Sequence, residues 1–156
     1  EISWIHWGNL EKHKEIVRFA RNIIAFRKGH PVLQGKHHFR EIDYMGSGYP
    51  DISWHGEKAW YADWSSGSRE IAFLLCGKHA REGRTIDAFI YVALNMHWES
   101  HEFELPGLPD KMKWYSAVNT HSLPPGDIRE PGCEKPCKNE KDFLIGPRSV
   151  VVLVGK

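Results

Sequence analysis

Apolar positions divide this chain into two unequal parts with different periods. Over residues 9–29 they recur at helical spacing. Ile16, Ala20, Ile23 and Ile24 run down to Arg27 as one stripe, with Val17 beside Ile16, and Phe19 stands seven residues before Phe26. Asn9 is a suitable N-cap, Glu11 falls in the first turn, and Arg27 and Lys28 complement the C-terminal dipole. Gly29 then supplies a C′ residue and Pro31 forbids continuation. The apolar surface of this helix is broad, because Phe19 and Phe26 lie to one side of the Ile stripe. Such a helix needs partners on more than one side.

Beyond Leu33 the period shortens to that of strands. The expected strands are 39–45, 52–55, 70–76, 86–95, 103–105, 112–118, 143–145 and 149–154. In the fourth of these, Ile86, Ala88, Ile90, Val92 and Leu94 share one face, and Asp87, Phe89, Tyr91 and Ala93 the other. Turn chemistry fills the gaps, as in Gly46-Ser47-Gly48, Pro106-Gly107 and Pro124-Pro125-Gly126. Many short strands separated by such turns predict a mainly β protein, an antiparallel β-sandwich preceded by one long α-helix.

Composition narrows the function classes. With 156 residues, 41% hydrophobic and 26% charged, the chain is long enough for one or two small domains with a real core. No apolar run approaches the roughly 18 residues of a membrane span. A net charge of +1 gives no general attraction to nucleic acid, so neither partner is expected. The balance conceals a split: residues 1–41 hold eight Lys/Arg and four Asp/Glu, and the remainder thirteen and sixteen. Three cysteines make no disulfide framework, and the chain does not open on a charged region followed by an apolar one, so a cytoplasmic protein is expected. It begins abruptly on Glu1-Ile2-Ser3-Trp4-Ile5-His6-Trp7, which reads as a cut inside a longer polypeptide.

Candidate chemistry is sparse. His97 and His101 are four apart, but Trp98 stands where a zinc protease needs Glu. The pair also follows a strand, so two solvated loop histidines are expected. Cys133 and Cys137 have ligand spacing without the second half of a zinc site, and read as a loop insertion. His37 and His38, beside Lys36 and Arg40, read as a charged strand edge. No phosphate loop or nucleophile elbow is present, so no cofactor and no metal is expected. Asp51, Asp63, Glu99, Glu102 and Glu104 lie near aromatics, yet nothing in their spacing sets an acid against a base. Seven Trp in so short a chain are the remaining signal, with Trp54, His55, Trp60, Tyr61 and Trp64 crowded into eleven residues. Two readings stand: core packing with an inter-domain contact, or a platform on which sugars stack.

The run Gly48-Tyr49-Pro50-Asp51-Ile52-Ser53-Trp54-His55-Gly56, then Ala62-Asp63-Trp64-Ser65, Ser68-Arg69 and Ala72-Phe73, resembles the C-terminal domain of glycogen debranching enzymes. These are the isoamylase-type members of the α-amylase superfamily. Ile90-Tyr91-Val92-Ala93-Leu94-Asn95, Phe103-Glu104-Leu105-Pro106, Trp114 and the final Arg148-Ser149-Val150-Val151-Val152-Leu153 fit the same domain in order. At the front, Glu1-Ile2-Ser3-Trp4-Ile5, with Trp7, resembles the loop after the last barrel strand. Phe26-Arg27-Lys28-Gly29-His30-Pro31 resembles the end of the last barrel helix.

The resemblance implies that residues 1–34 are the last loop and helix of a (β/α)8 barrel and residues 35–156 the β-sandwich. It implies an accessory role in an enzyme that hydrolyses α-1,6 branch linkages of glycogen or related glucans. The catalytic carboxylates would come from barrel strands upstream of Glu1, so none is assigned here. Barrel sites lie at the C-terminal face of the strands, which puts only Trp4 and Trp7 near substrate. The family usually has Asp where His6 stands. The partners implied are the catalytic barrel and, through it, branched α-glucan. The alternative is an autonomous glucan-binding module built on the Trp/Tyr cluster. An uncovered face of helix 10–28 would also favour self-association.

Overall fold

The computed structural model describes residues 6–109 and 111–156. After a 3-10 turn at Trp7–Asn9, helix α1 spans Lys14–Gly29 and a second 3-10 turn spans Pro31–Gln34. The helix starts later than its sequence pattern predicts. Asn9 lies in the 3-10 turn, and its backbone carbonyl, not its side chain, accepts the His13 N–H at 3.0 Å. The end also differs. Gly29 is the last helical residue and His30 follows in extended conformation, φ −114° and ψ 98°, with no left-handed cap. The Gln34 amide replaces that cap by donating to the Arg27 and Lys28 carbonyls at 3.0 and 2.9 Å, satisfying acceptors the helix cannot.

Eight strands follow: β1 (Ile52–His55), β2 (Glu70–Leu75), β3 (Phe89–Asn95), β4 (His101–Glu104), β5 (Trp114–Asn119), β6 (Lys135–Pro136), β7 (Asp142–Ile145) and β8 (Ser149–Gly155). Six form one sheet in the order β1-β2-β3-β8-β5-β6, and β4 pairs with β7 in a second; all pairs are antiparallel. The arrangement is the expected β-sandwich, with a single α-helix among the described residues.

Both faces of the large sheet are covered, which explains why β8 reads as a continuous apolar run, Val150 to Val154. Toward the small sheet lie Ala72, Leu74, Phe89, Tyr91, Ala93, Val151 and Leu153, packed with Phe103, Leu105, Trp114 and Ile145. Toward α1 lie Ile52, Leu75, Ile90, Val152 and Val154, packed with Phe26 and Val32. Each fully buried side chain of this size stabilises the fold by about 1.5–3 kcal/mol. The helix turns Phe19, Ile23 and Phe26 toward this layer and leaves Ile16 and Ile24 67% and 54% exposed. The apolar stripe predicted from the sequence therefore splits into a covered half and a bare half. Arg18 bridges the covered side to Asp127 at 2.6 Å. Among the described residues no helix is long and apolar enough to cross a membrane.

Three segments differ from their sequence pattern. Residues 39–45 form a loop, because two carboxylates draw their backbone N–H groups away from any ladder. Asp51, buried, accepts from Arg40 and Glu41 at 2.8 Å each, and Asp43 accepts from Met45, Ser47 and Gly48. The histidine pair at 37–38 thus marks a loop and no strand edge. Strand β3 begins only at Phe89, with Ile86 85% exposed. Here Asp87 accepts His30 Nδ1 at 2.9 Å, Val32 N–H at 3.0 Å and Ala88 N–H at 2.7 Å, pinning the end of the helix to the sheet. Gly77 permits this close approach: a Cβ there would sit 2.0 Å from the Asp87 carbonyl oxygen. Finally, the stretch between Cys133 and Cys137 contributes β6, which pairs with Tyr115 and Ser116.

Burial pushes the Asp87 carboxyl up, but the hydrogen bonds from His30, Val32 and Ala88 outweigh it and hold it below the ordinary value. Asp87→Asn is expected to cost about 2–3 kcal/mol at pH 7. Because the folded-state value is depressed, that contribution is present above the unfolded-state value, near pH 4, and is lost as pH falls through the folded one. Urea unfolding at neutral and acid pH should show the gap between wild type and variant narrowing.

Candidate functional site

The aromatic cluster is organised by β1, an edge strand whose side chains alternate between faces. Trp54 points to the helix side, where it meets Trp64 edge-on at 5.6 Å and Phe73 at 5.7 Å. His55 points the other way, toward Trp60 at 4.9 Å and Tyr91 at 5.9 Å, and Trp60 in turn lies 6.0 Å from Tyr49. Trp54 with Trp64, and His55 with Trp60, thus fall into two groups on opposite sides of one strand, and Tyr61 makes no ring contact with either. Trp60, Tyr61 and Trp64 are 51%, 66% and 67% exposed, Trp54 is half-buried, and His55 is fully buried.

His55 holds the turn that carries the exposed aromatics. Its Nδ1 accepts the Trp60 N–H at 2.6 Å, and its Nε2 lies 2.9 Å from Ser53 Oγ, which fixes the neutral ring with the proton on Nε2. Trp60 takes a left-handed φ of 64°, which an L side chain adopts at a cost. Gly56 fits beneath it only because it has no Cβ, which would lie 2.9 Å from the Tyr61 carbonyl oxygen. Burial pushes the His55 imidazole down to about 4.

A second cluster, of histidines and glutamates, forms where the two sheets meet. Asn95, buried at the end of β3, donates from Nδ2 to the Glu99, Ile145 and Gly146 carbonyls at 2.8, 3.2 and 3.0 Å. Its Oδ1 accepts the His97 N–H at 2.9 Å, and Arg148 N–H reaches the His97 carbonyl at 3.0 Å. These bonds shape the β3–β4 turn so that the His97 and His101 rings meet edge-on, 4.6 Å between centroids. Glu70, opposite Asn95 in the β2–β3 register, reaches the same place, and one donor atom from each of Glu70, His97 and His101 lies within 4.8 Å of the others. His101 Nδ1 bonds to the Glu57 carboxylate from the turn after β1. Its Nε2 is buried without a hydrogen-bond partner, 3.9 Å from Glu70 Oε1.

The pair expected as solvated loop histidines is therefore half-buried, with His101 the first residue of β4. The spacing of four is the signal in the sequence, and a tight turn rather than a helix face brings the rings together. Of the cysteines, Cys133 is exposed, whereas Cys137 packs against the core, where burial raises its thiol to about 11.

Among the other sequence candidates, Trp7 is 71% exposed in the first 3-10 turn, and Trp4 lies outside the described residues. Asp51 is spent on backbone N–H groups, and Asp63 accepts from Ser65 N–H at 2.9 Å.

The family described as Isoamylase 1-3, C-terminal, matches residues 53–143, which hold the aromatic turn and the histidine–glutamate cluster. The chain belongs to this family. A glycogen operon protein GlgX homologue of Mycobacterium bovis is 30% identical over 98% of the chain and 22% of its own length. An isoamylase of a Flavobacterium species is 23% identical over 99% of the chain and 20% of its own length. The chloroplastic isoamylase SU1 of Zea mays is 28% identical over 84% of the chain and 15% of its own length. The chain thus spans about a fifth of the length of the curated relatives it matches.

His55 offers a measurable signature of this turn. Its folded-state value is depressed, so the unfolded chain binds the proton first, and stability falls as pH drops from about 6.5 toward 4. The loss should reach about 3 kcal/mol. His55→Gln should lower stability at pH 7 and flatten this dependence, read from thermal unfolding across the pH range.

Proposed function

We propose that this chain is the accessory C-terminal domain of a glycoside hydrolase that cleaves α-1,6 branch linkages in glycogen or related α-glucans. The observation that carries this reading is the match of nearly the whole chain to one fifth of proteins named isoamylase and GlgX homologue. In this reading residues 1–34 are the last loop and helix of a catalytic barrel and residues 35–156 the β-sandwich. The domain supplies no catalytic carboxylate and acts by holding the barrel's last helix in place. Trp4 and Trp7, from the last loop, are its residues nearest substrate.

The bare stripe of α1 supports this arrangement. Ile16 and Ile24 stay exposed while Phe19, Ile23 and Phe26 pack on the sandwich, which leaves apolar surface that a barrel would cover. In isolation the stripe favours a second copy of the chain, so sedimentation should show concentration-dependent association that Ile16→Glu with Ile24→Glu abolishes. Three free cysteines support a reducing, cytoplasmic setting.

A domain swap tests the assignment. Replacing the C-terminal fifth of the mycobacterial GlgX homologue with this chain should restore soluble protein and debranching of amylopectin relative to the truncated enzyme. A chimera no better than the truncation overturns it, as does glucan hydrolysis by this chain alone.

A second reading rests on the exposure of Trp60, Tyr61 and Trp64: a glucan-binding surface. Titrating malto-oligosaccharide while following Trp fluorescence separates the two. A saturable change lost in Trp64→Ala or Trp60→Ala favours binding, and no response at millimolar sugar leaves the packing role.

A further inference from the structure

We propose that Glu70, His97 and His101 form a binding site for a divalent transition-metal ion of the zinc type. Two imidazoles and one carboxylate suit zinc, which takes three protein ligands and leaves a fourth position for water. One donor atom from each residue already lies within 4.8 Å of the other two. In tetrahedral zinc the donors stand about 3.3 Å apart, so loading the ion draws the side chains together by about an ångström.

The bonding of His101 points to an ion. Its Nδ1 is bound to the Glu57 carboxylate, which places the ring proton there and the lone pair on Nε2. That Nε2 is buried and lacks any hydrogen-bond partner, a condition rare enough in native proteins to require an explanation. Its neighbour, Glu70 Oε1, is at 3.9 Å, too far for a hydrogen bond. A carboxylate behind the ring and an unfilled nitrogen in front of it is how a metal-ligating histidine is oriented by its outer partners. Glu70 is prepared in the same sense. Its Oε2 accepts the Arg69 N–H at 3.0 Å, which leaves Oε1 to face the imidazoles.

His97 supplies the third donor from a turn fixed by Asn95. Its Nδ1 accepts the Glu99 N–H at 3.1 Å. Neutral imidazole binds a metal through one nitrogen and carries its proton on the other, so either mode of coordination gives up that hydrogen bond. The Glu99 amide is therefore a reporter of loading. The ligands come from the start of β2, the β3–β4 turn and the start of β4, so a bound ion ties the large sheet to the small one. Metal binding to the folded chain adds stability that grows with the logarithm of the free ion concentration relative to its Kd.

The test uses the 156-residue chain carrying Cys133→Ser and Cys137→Ala, which removes thiols as competing ligands. Calorimetric titration with Zn2+ should give one ion per chain with an affinity in the micromolar range or tighter. Thermal unfolding should shift upward by several degrees, reversibly with chelator. The Glu99 amide resonance should move as zinc is added, and Co2+ should give the visible absorption of a four-coordinate site. Glu70→Gln and His97→Gln should each weaken binding at least tenfold, with unfolding of the metal-free chain little changed. The proposal is overturned if the Glu99 amide is unmoved at millimolar zinc, or if both variants bind as tightly as their parent. In either case His101 serves only to tie the start of β4 to Glu57 in the turn after β1.

Discussion

Strands β3 and β8 pair over seven residues, and most of both faces of that ladder is buried. A buried ladder leaves no freedom of register, because a slip of one residue would exchange the contents of two dissimilar cores. Phe89, Tyr91 and Ala93 must meet the small sheet, and Ile90 must meet the helix layer. Every other element is placed by what it covers. The small sheet closes one side, and α1 with its following turn closes part of the other. Asn95, last in the ladder and fully buried, carries that fixed register outward into the turn that gathers the histidines.

Helix and strands differ in how far their sequence determined them. The alternation in β3 was legible because the two faces are both apolar yet distinct, so side-chain parity is strongly enforced. Residues 39–45 carry apolar residues as a strand does, but no strand among the described residues pairs with them. There, Asp51 and Asp43 capture the backbone donors, a local contest that periodicity does not register. The helix starts later than its sequence pattern predicts for a related reason. Asn9 has the composition of a cap, whereas the chain enters through a 3-10 turn that satisfies itself with backbone carbonyls.

The candidate site was legible only as fragments. The five aromatics of 54–64 form a dense cluster in sequence, and pleating then sends Trp54 and His55 to opposite sides of β1. His97 and His101 showed their spacing openly, but the geometry joining them is a turn set by Asn95. Glu57 and Glu70 come from separate elements, linked to the histidines only through sheet pairing. Side chains brought together by long-range register leave no local trace. Family membership was recoverable because the run from Gly48 to Gly56 combines a tight turn, a buried Asp and alternating aromatics in a fixed order.

The two-residue strand β6 has a consequence for how the domain meets others of its kind. It occupies the outer edge of the large sheet, and it consists of a lysine and a proline. Proline offers no N–H to an incoming strand, and lysine makes an approaching backbone desolvate a charge. That rim is a poor template for strand addition. A domain with this much β-branched sequence in its centre is thereby closed to strand addition at the β6 rim, and contacts with other proteins on that side are left to side-chain surfaces.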